Sequence, residues 1–254
     1  MRTNNLAVAE QLAVRIRKEL CIPVNEAIDF SYVFQKLNIH FRKAHLSNNI
    51  LGASKVEGLN RLIVVSDRES HAAQERFTTA HELGHIMLHH GYSQCKYADI
   101  YGSKTHKEKE IEANAFASAF LLPPSIVSEY ARTGEVTINA AGKLCKQYDV
   151  SLTATLIALV KNSPLSVCVF FQSKDKINYS ISSSSCAAHA RQGLVLPGNG
   201  IQAVGPECYR HNARCDYTAW FNEKPGIDYN CSEETIYLPN YKSAISIVQV
   251  WEKD

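Results

Sequence analysis

The amino-acid sequence predicts an α+β protein, and three features carry that reading. Apolar residues recur at helical spacing through most of the chain up to Lys161. A short β-rich run, Leu62-Ile63-Val64-Val65, interrupts that pattern, and β-rich runs take over after Pro164. The 254 residues are 45% apolar and 20% charged, which suits a folded globular chain rather than a disordered one. The changes of texture divide the chain into residues 1–124, a helical segment 125–163, and an α+β or β-rich domain 164–254.

Residues 6–20 read as an amphipathic helix begun by Asn4 or Asn5, and Pro23 marks its break. A second helix is expected from Ala27 to Leu37, then a strand at 39–41. Residues 48–55, with Gly52 and Gly58 near, read as a loop. Leu62–Val65 reads as a buried strand ended by Ser66-Asp67. A helix follows from Ala72 to His90, a connection over 91–106, and another helix from Lys107 to Leu122 that Pro123-Pro124 stops.

Helices are expected at 126–131, 139–148 and 152–161, the last with Ser151 as its N-cap. Helix, short turn, helix has the outline of a helix-turn-helix. The would-be recognition helix, SLTATLIALVKN, carries Lys161 as its one cation, and reading base edges needs several Arg, Lys, Asn or Gln. Sequence-specific DNA binding is therefore not expected. Beyond Pro164, Val167–Phe171 and Ile177–Ile181 flank Lys174-Asp175 as a hairpin, and Ile245–Trp251 reads as a closing strand.

Charge excludes little and favours nothing: 27 Lys+Arg against 25 Asp+Glu leaves +2, with no bias toward nucleic acid or membranes. No apolar run reaches the ~18 residues of a membrane span. The N-terminal stretch lacks the continuous apolar core of an export signal, and the eight cysteines are spread widely. Cytoplasmic location and reduced thiols are the expectation.

The chemistry concentrates in Arg76–His90, RFTTAHELGHIMLHH, which contains His81-Glu82-x-x-His85. Residues four apart on a helix differ by about 40° in direction and about 6 Å along the axis, so both imidazoles leave one face. Two such nitrogens suit one tetrahedral Zn²⁺, and Glu82 can reach a water beside it as general base. Ala80, Leu83 and Met87 make the opposite side apolar too, so the helix is buried and its polar residues need partners. Gly84 costs about 1 kcal/mol against Ala, which points to close approach by another segment.

A catalytic zinc site wants a third protein ligand and one open position. The helix KEKEIEANAFASAFLLPP, residues 107–124, offers Glu110 and Glu112. On a helical wheel Glu110 shares an apolar face with Asn114, Ala117 and Leu121, whereas Glu112 falls beside Glu108 on a solvated side. Glu110 is the expected ligand. Asn114 is expected to orient an imidazole from behind.

These residues resemble the ImmA/IrrE family of zinc metallopeptidases, whose members typically carry RFTLAHELGH and E-x-E-A-N-x-F-A-x-x-L-L-M-P. The likeness spans residues 6–162 and is strongest over 62–124. It implies a zincin-like core similar to the gluzincins, with His81, His85 and Glu110 as zinc ligands and Glu82 as base. It also implies a protein substrate, an Xre-type helix-turn-helix repressor, in stress response or mobile-element regulation. Some members carry a C-terminal GAF-like sensing domain, which residues 164–254 would correspond to.

Other candidates are weaker. Cys186-x-x-His189, Cys208-x-x-His211-x-x-x-Cys215 and Cys231 offer ligand types in no known finger spacing, so free thiols are expected. Tyr92, Tyr97, Tyr101 and His106 lie between the two ligand helices as unranked candidates to stabilise an oxyanion. His89 and His90 are expected at a helix end. The rival reading is an inactive regulatory protein that binds a partner or signal; a base between the ligands argues for an enzyme.

Overall fold

A computed structural model describes residues 2–47, 49–68, 71–101, 108–133, 136–186, 188, 190–222 and 229–252, with backbone alone for 2–4, 100 and 101. His106 and His189, named above, lie outside the described residues. The chain divides into two compact units: residues 1–126 with 145–151, and residues 127–144 with 152–254.

The first unit holds a four-stranded sheet. Its strands are β1 (Ile39–Ala44), β2 (Ile50–Glu57), β3 (Asn60–Ser66) and β4 (Ser93–Lys96), in the order β1-β3-β2-β4. β1 pairs with β3 in parallel; the other pairs are antiparallel. Around it lie α1 (Arg2–Glu19), α2 (Phe30–Leu37), α3 (Ala72–Met87), α4 (Tyr97–Tyr101) and α5 (Glu108–Leu121). α2 starts three residues later than expected because Asp29 caps it, accepting from the Ser31 and Tyr32 N–H groups. α1 buries Ala9, Ala13 and Ile16, and α5 buries Phe116, Ala117 and Phe120 in the same core. Arg17 ties the two ends together, donating to the Phe120, Pro23 and Glu26 carbonyls at 2.7, 2.7 and 2.8 Å.

Two stretches depart from the sequence reading. Residues 48–55, expected as a loop, supply most of β2. Gly52, Ala53 and Ser54 have weak strand propensity, so pairing with β3 and β4 on either side decides the matter. The connection 91–106 contains β4 and α4, segments too short to show a period. Leu62–Val65 lies in β3, which is bonded by β1 on one side and β2 on the other. The edges of this sheet are β1 and β4.

The helices α6 (Pro124–Arg132), α7 (Ile138–Tyr148) and α8 (Leu152–Asn162) follow, with Pro124 opening α6 where its missing N–H costs nothing. The second unit is built on an antiparallel six-stranded sheet in the order β7-β6-β5-β10-β9-β8. The strands are β5 (Val167–Ser173), β6 (Lys176–Ser182), β7 (Gly193–Leu194), β8 (Arg210–Cys215), β9 (Tyr229–Leu238) and β10 (Ser243–Glu252). Lys174 and Asp175 take φ of 48° and 60°, the two left-handed residues of a tight hairpin turn between β5 and β6. α8 packs against β5 and β6 and buries Thr155, Leu156, Leu159 and Val160. The short α9 (Tyr217–Trp220) inserts Trp220 beside Phe170 and Phe221. Beneath it, buried Glu233 accepts from the Trp220 indole at 2.7 Å and the Gly200 N–H at 3.0 Å. Burial pushes the Glu233 carboxyl up, and those hydrogen bonds work against the shift.

Candidate metal centre

α3 is buried on every side over residues 78–86, so its polar side chains must find partners inside the protein. His81 and Glu82 are completely buried and His85 nearly so. α5 crosses α3 at Gly84: a Cβ there would lie 3.2 Å from the Ala113 carbonyl oxygen and 3.1 Å from the Phe116 ring. The absence of a side chain is what lets the two helices approach. That approach brings Glu110 to the histidines.

His81 Nε2 and His85 Nε2 are 3.0 Å apart, and Glu110 Oε2 lies 3.2 and 3.5 Å from them. A fourth group, which the sequence reading missed, completes the cluster. Cys95 Sγ on β4 sits 3.0 Å from His81 Nε2, 3.3 Å from His85 Nε2 and 3.4 Å from Glu110 Oε2. Its only sequence signal was a cysteine between two helices that carry ligand types. Among the described residues this is the one group of three or more His, Cys, Asp or Glu side chains close enough to share a metal ion.

The outer nitrogens of both imidazoles are held from behind. His81 Nδ1 donates to Asn114 Oδ1 at 2.9 Å. His85 Nδ1 meets His90 Nδ1 at 2.9 Å, and His90 Nε2 meets Glu112 Oε2 at 3.0 Å. A carboxylate only accepts, so His90 donates through Nε2 and accepts from His85 through Nδ1. Burial lowers the His90 pKa and the neighbouring His85 lowers it further, which suits a neutral ring in this relay. Glu112 is therefore no free surface charge: it reaches the site through His90, and its other oxygen accepts from Asn5. Both Nε2 atoms are thus turned toward one point.

Glu82 lies beside the cluster. Its Oε2 accepts from Ser93 Oγ at 3.0 Å, and Ser93 Oγ is 3.4 Å from Cys95 Sγ. Its Oε1 is buried and has no hydrogen-bond partner among the described residues. Such an atom costs free energy unless something absent from the protein atoms satisfies it. Burial opposes charge on Glu110, but hydrogen bonds with His81 and His85 outweigh it and hold the carboxyl well below the usual range. Burial, and then the Glu82 carboxylate, push the Cys95 thiol far up. Two imidazoles, a carboxylate, a thiol and an unpartnered carboxylate oxygen fit a divalent metal and a water beside it. Of the oxyanion candidates, Tyr92 and Tyr97 are 62% and 56% exposed, and the Tyr101 side chain and His106 are outside the described residues.

Residues 34–160, half of the chain, match the family model of the IrrE N-terminal-like domain, a peptidase family. The chain belongs to the ImmA/IrrE family. This ImmA/IrrE-family protein is 32% identical over 105 residues to uncharacterized immunity region protein 2 of Bacillus phage phi105, covering 41% of this chain and 63% of that one. It is 29% identical over 107 residues to the radiation response metalloprotease IrrE of Deinococcus radiodurans, covering 41% of this chain and 33% of that one. The aligned part spans less than two thirds of either relative. The fold is similar to that of a Mycobacterium tuberculosis transcriptional regulator, with a TM-score of 0.56 at 15% identity over 95% of this chain and 87% of the other. No helix among the described residues of this family member is long and apolar enough to cross a membrane.

Proposed function

We propose that this protein is a cytoplasmic zinc-dependent endopeptidase that cleaves a protein substrate, a helix-turn-helix repressor of the Xre type. His81, His85 and Glu110 would hold the zinc, Asn114 would orient His81, and Glu82 would be the base. The observation that carries the reading is the buried Glu82 carboxylate, joined to the donor cluster through Ser93 at Oε2, with Oε1 left without a hydrogen-bond partner among the described residues. Bound zinc supplies a Lewis acid that polarises the scissile carbonyl and makes a water more acidic. Glu82 would take a water's proton during attack and return it to the leaving amine, while Ser93 would hold the carboxylate through Oε2.

β4 is the sheet edge next to this cluster, and it turns Ser93 and Cys95 inward while Gln94 and Lys96 stay exposed. An extended substrate segment would add along it as a further strand. Support for the substrate class comes from the two relatives, an immunity region protein and a radiation response metalloprotease. Residues 1–124 would be the catalytic domain, 125–163 a helical packing segment, and 164–254 a regulatory module of the GAF-like kind.

The test is Glu82→Gln, which keeps the shape and removes the base. A general base contributes about 10²–10⁴-fold. The variant should bind zinc and a repressor encoded beside the gene, yet cleave it at least a hundredfold more slowly than the wild type. Equal rates would sink the mechanism. Operator DNA should show no specific shift with this protein alone, because α8 lies against β5 and β6 and carries Lys161 as its one cation.

A further inference from the structure

Cys95 is the one member of the donor cluster that the proposed reaction does not use. We propose that Cys95 is a fourth protein ligand of the resting metal, so that His81, His85, Glu110 and Cys95 close its coordination sphere and hold the peptidase latent. The inference rests on the metallopeptidase reading above.

Geometry carries it. Four donor atoms define six separations, and here all six lie between 3.0 and 3.5 Å. A tetrahedron with such edges has its centre about 2.0 Å from each corner. That is the Zn–N and Zn–O distance, and about 0.3 Å short of Zn–S, a gap that a small outward step of one sulphur closes. The thiol lies as close to His81 as His85 does. A bystander cysteine packed behind the site would not sit within 3.4 Å of all three ligand atoms.

The second, independent observation is Glu82. Its Oε1 is completely buried and without a hydrogen-bond partner among the described residues, and Ser93 Oγ links its carboxylate to the Cys95 sulphur. Base and thiol are therefore neighbours, joined through Ser93. Catalytic zinc sites keep three protein ligands and leave the fourth place for water, whereas four protein ligands make a closed site. When Cys95 ligates, its proton leaves to solvent, the sulphur takes the fourth place, and Glu82 has no water to deprotonate. When Cys95 withdraws, that place opens. Movement of one short element would withdraw the thiol: Cys95 lies on a four-residue edge strand that pairs with β2. A substrate segment adding along β4 would act on the same strand. Latency and substrate entry thus meet in one element.

The experiment uses the full chain loaded with Co²⁺, whose spectrum reports ligand type without reference to peptidase activity. The wild type should show an intense near-ultraviolet sulphur-to-cobalt charge-transfer band. Cys95→Ala and Cys95→Ser should both keep one cobalt per chain and lose that band, and their zinc should compete at least tenfold less well against a chelator. At equal zinc occupancy Cys95→Ala should cleave faster than the wild type. The serine variant guards against a packing defect, because it nearly preserves the side-chain shape. Cobalt bound without the band, or a band that survives both substitutions, overturns the inference and leaves the metallopeptidase reading standing. Failure of the wild type to bind cobalt or zinc at all overturns both.

Discussion

Gly52 on β2 leaves room for Glu82 on α3: a Cβ built on Gly52 would lie 2.8 Å from Glu82 Oε1 and 2.9 Å from Glu82 Cγ. The same Cβ would stand 2.9 Å from Thr78 Cγ2. Strand and helix therefore pack at a separation that only glycine permits, and the side chain so accommodated is the proposed base. Gly52→Ala must push Glu82 aside or part β2 from α3. It should fold with a loss of about 1–3 kcal/mol from overpacking, bind metal normally, and lose at least tenfold in cleavage rate. Normal cleavage by a folded Gly52→Ala protein would separate Glu82 from the reaction.

The two glutamates of α5 should part company in metal binding. Glu110→Ala removes a donor and should leave most of the protein metal-free after dialysis. Glu112→Ala removes the anchor of His90, which holds His85. Loss of such an outer contact costs about 10–100-fold in affinity, so this variant should still hold close to one zinc per chain at micromolar protein. Metal analysis of the two variants side by side checks the ordering, and the reverse ordering would contradict it.

Glu233 should matter to stability alone. Glu233→Ala leaves the buried Trp220 N–H and the Gly200 N–H without their acceptor. Each stranded donor costs about 1–3 kcal/mol, so urea unfolding should show the second unit destabilised by at least about 2 kcal/mol. Metal content should not change.

No disulfide joins cysteines among the described residues, but Cys215 and Cys231 face each other across β8 and β9 with their sulphurs 3.0 Å apart. Intact mass after alkylation of the native protein under non-reducing conditions should show modified thiols and no bridge. A mild two-electron thiol oxidant such as diamide should join this pair first, and peptide mapping would identify it. Cys215→Ser should abolish that cross-link. A different first pair would show that another approach of thiols governs the chemistry.

By itself the sequence determined what helical periodicity can encode. The spacing of His81 and His85 put two imidazoles on one face, the apolar face around Glu110 and Asn114 marked the helix side that packs inward, and Gly84 marked the crossing point. These are local relations, set by 3.6 residues per turn whatever the rest of the chain does. Tertiary structure alone decided the remainder. Ser93 and Cys95 reach the cluster because β2 pairs with β4, and neither strand shows a period or propensity that would announce it. Gly52 comes to stand over Glu82 by sheet register, thirty positions away in sequence. Glu112, which the wheel put on the solvated side, reaches His85 through His90 because the chain beyond α3 turns back, with His89 at a φ of 57°, to place that ring between them. Strand pairing and chain reversal bring together residues whose separation carries no pattern, so the closing donor of the site was legible only once the sheet had formed.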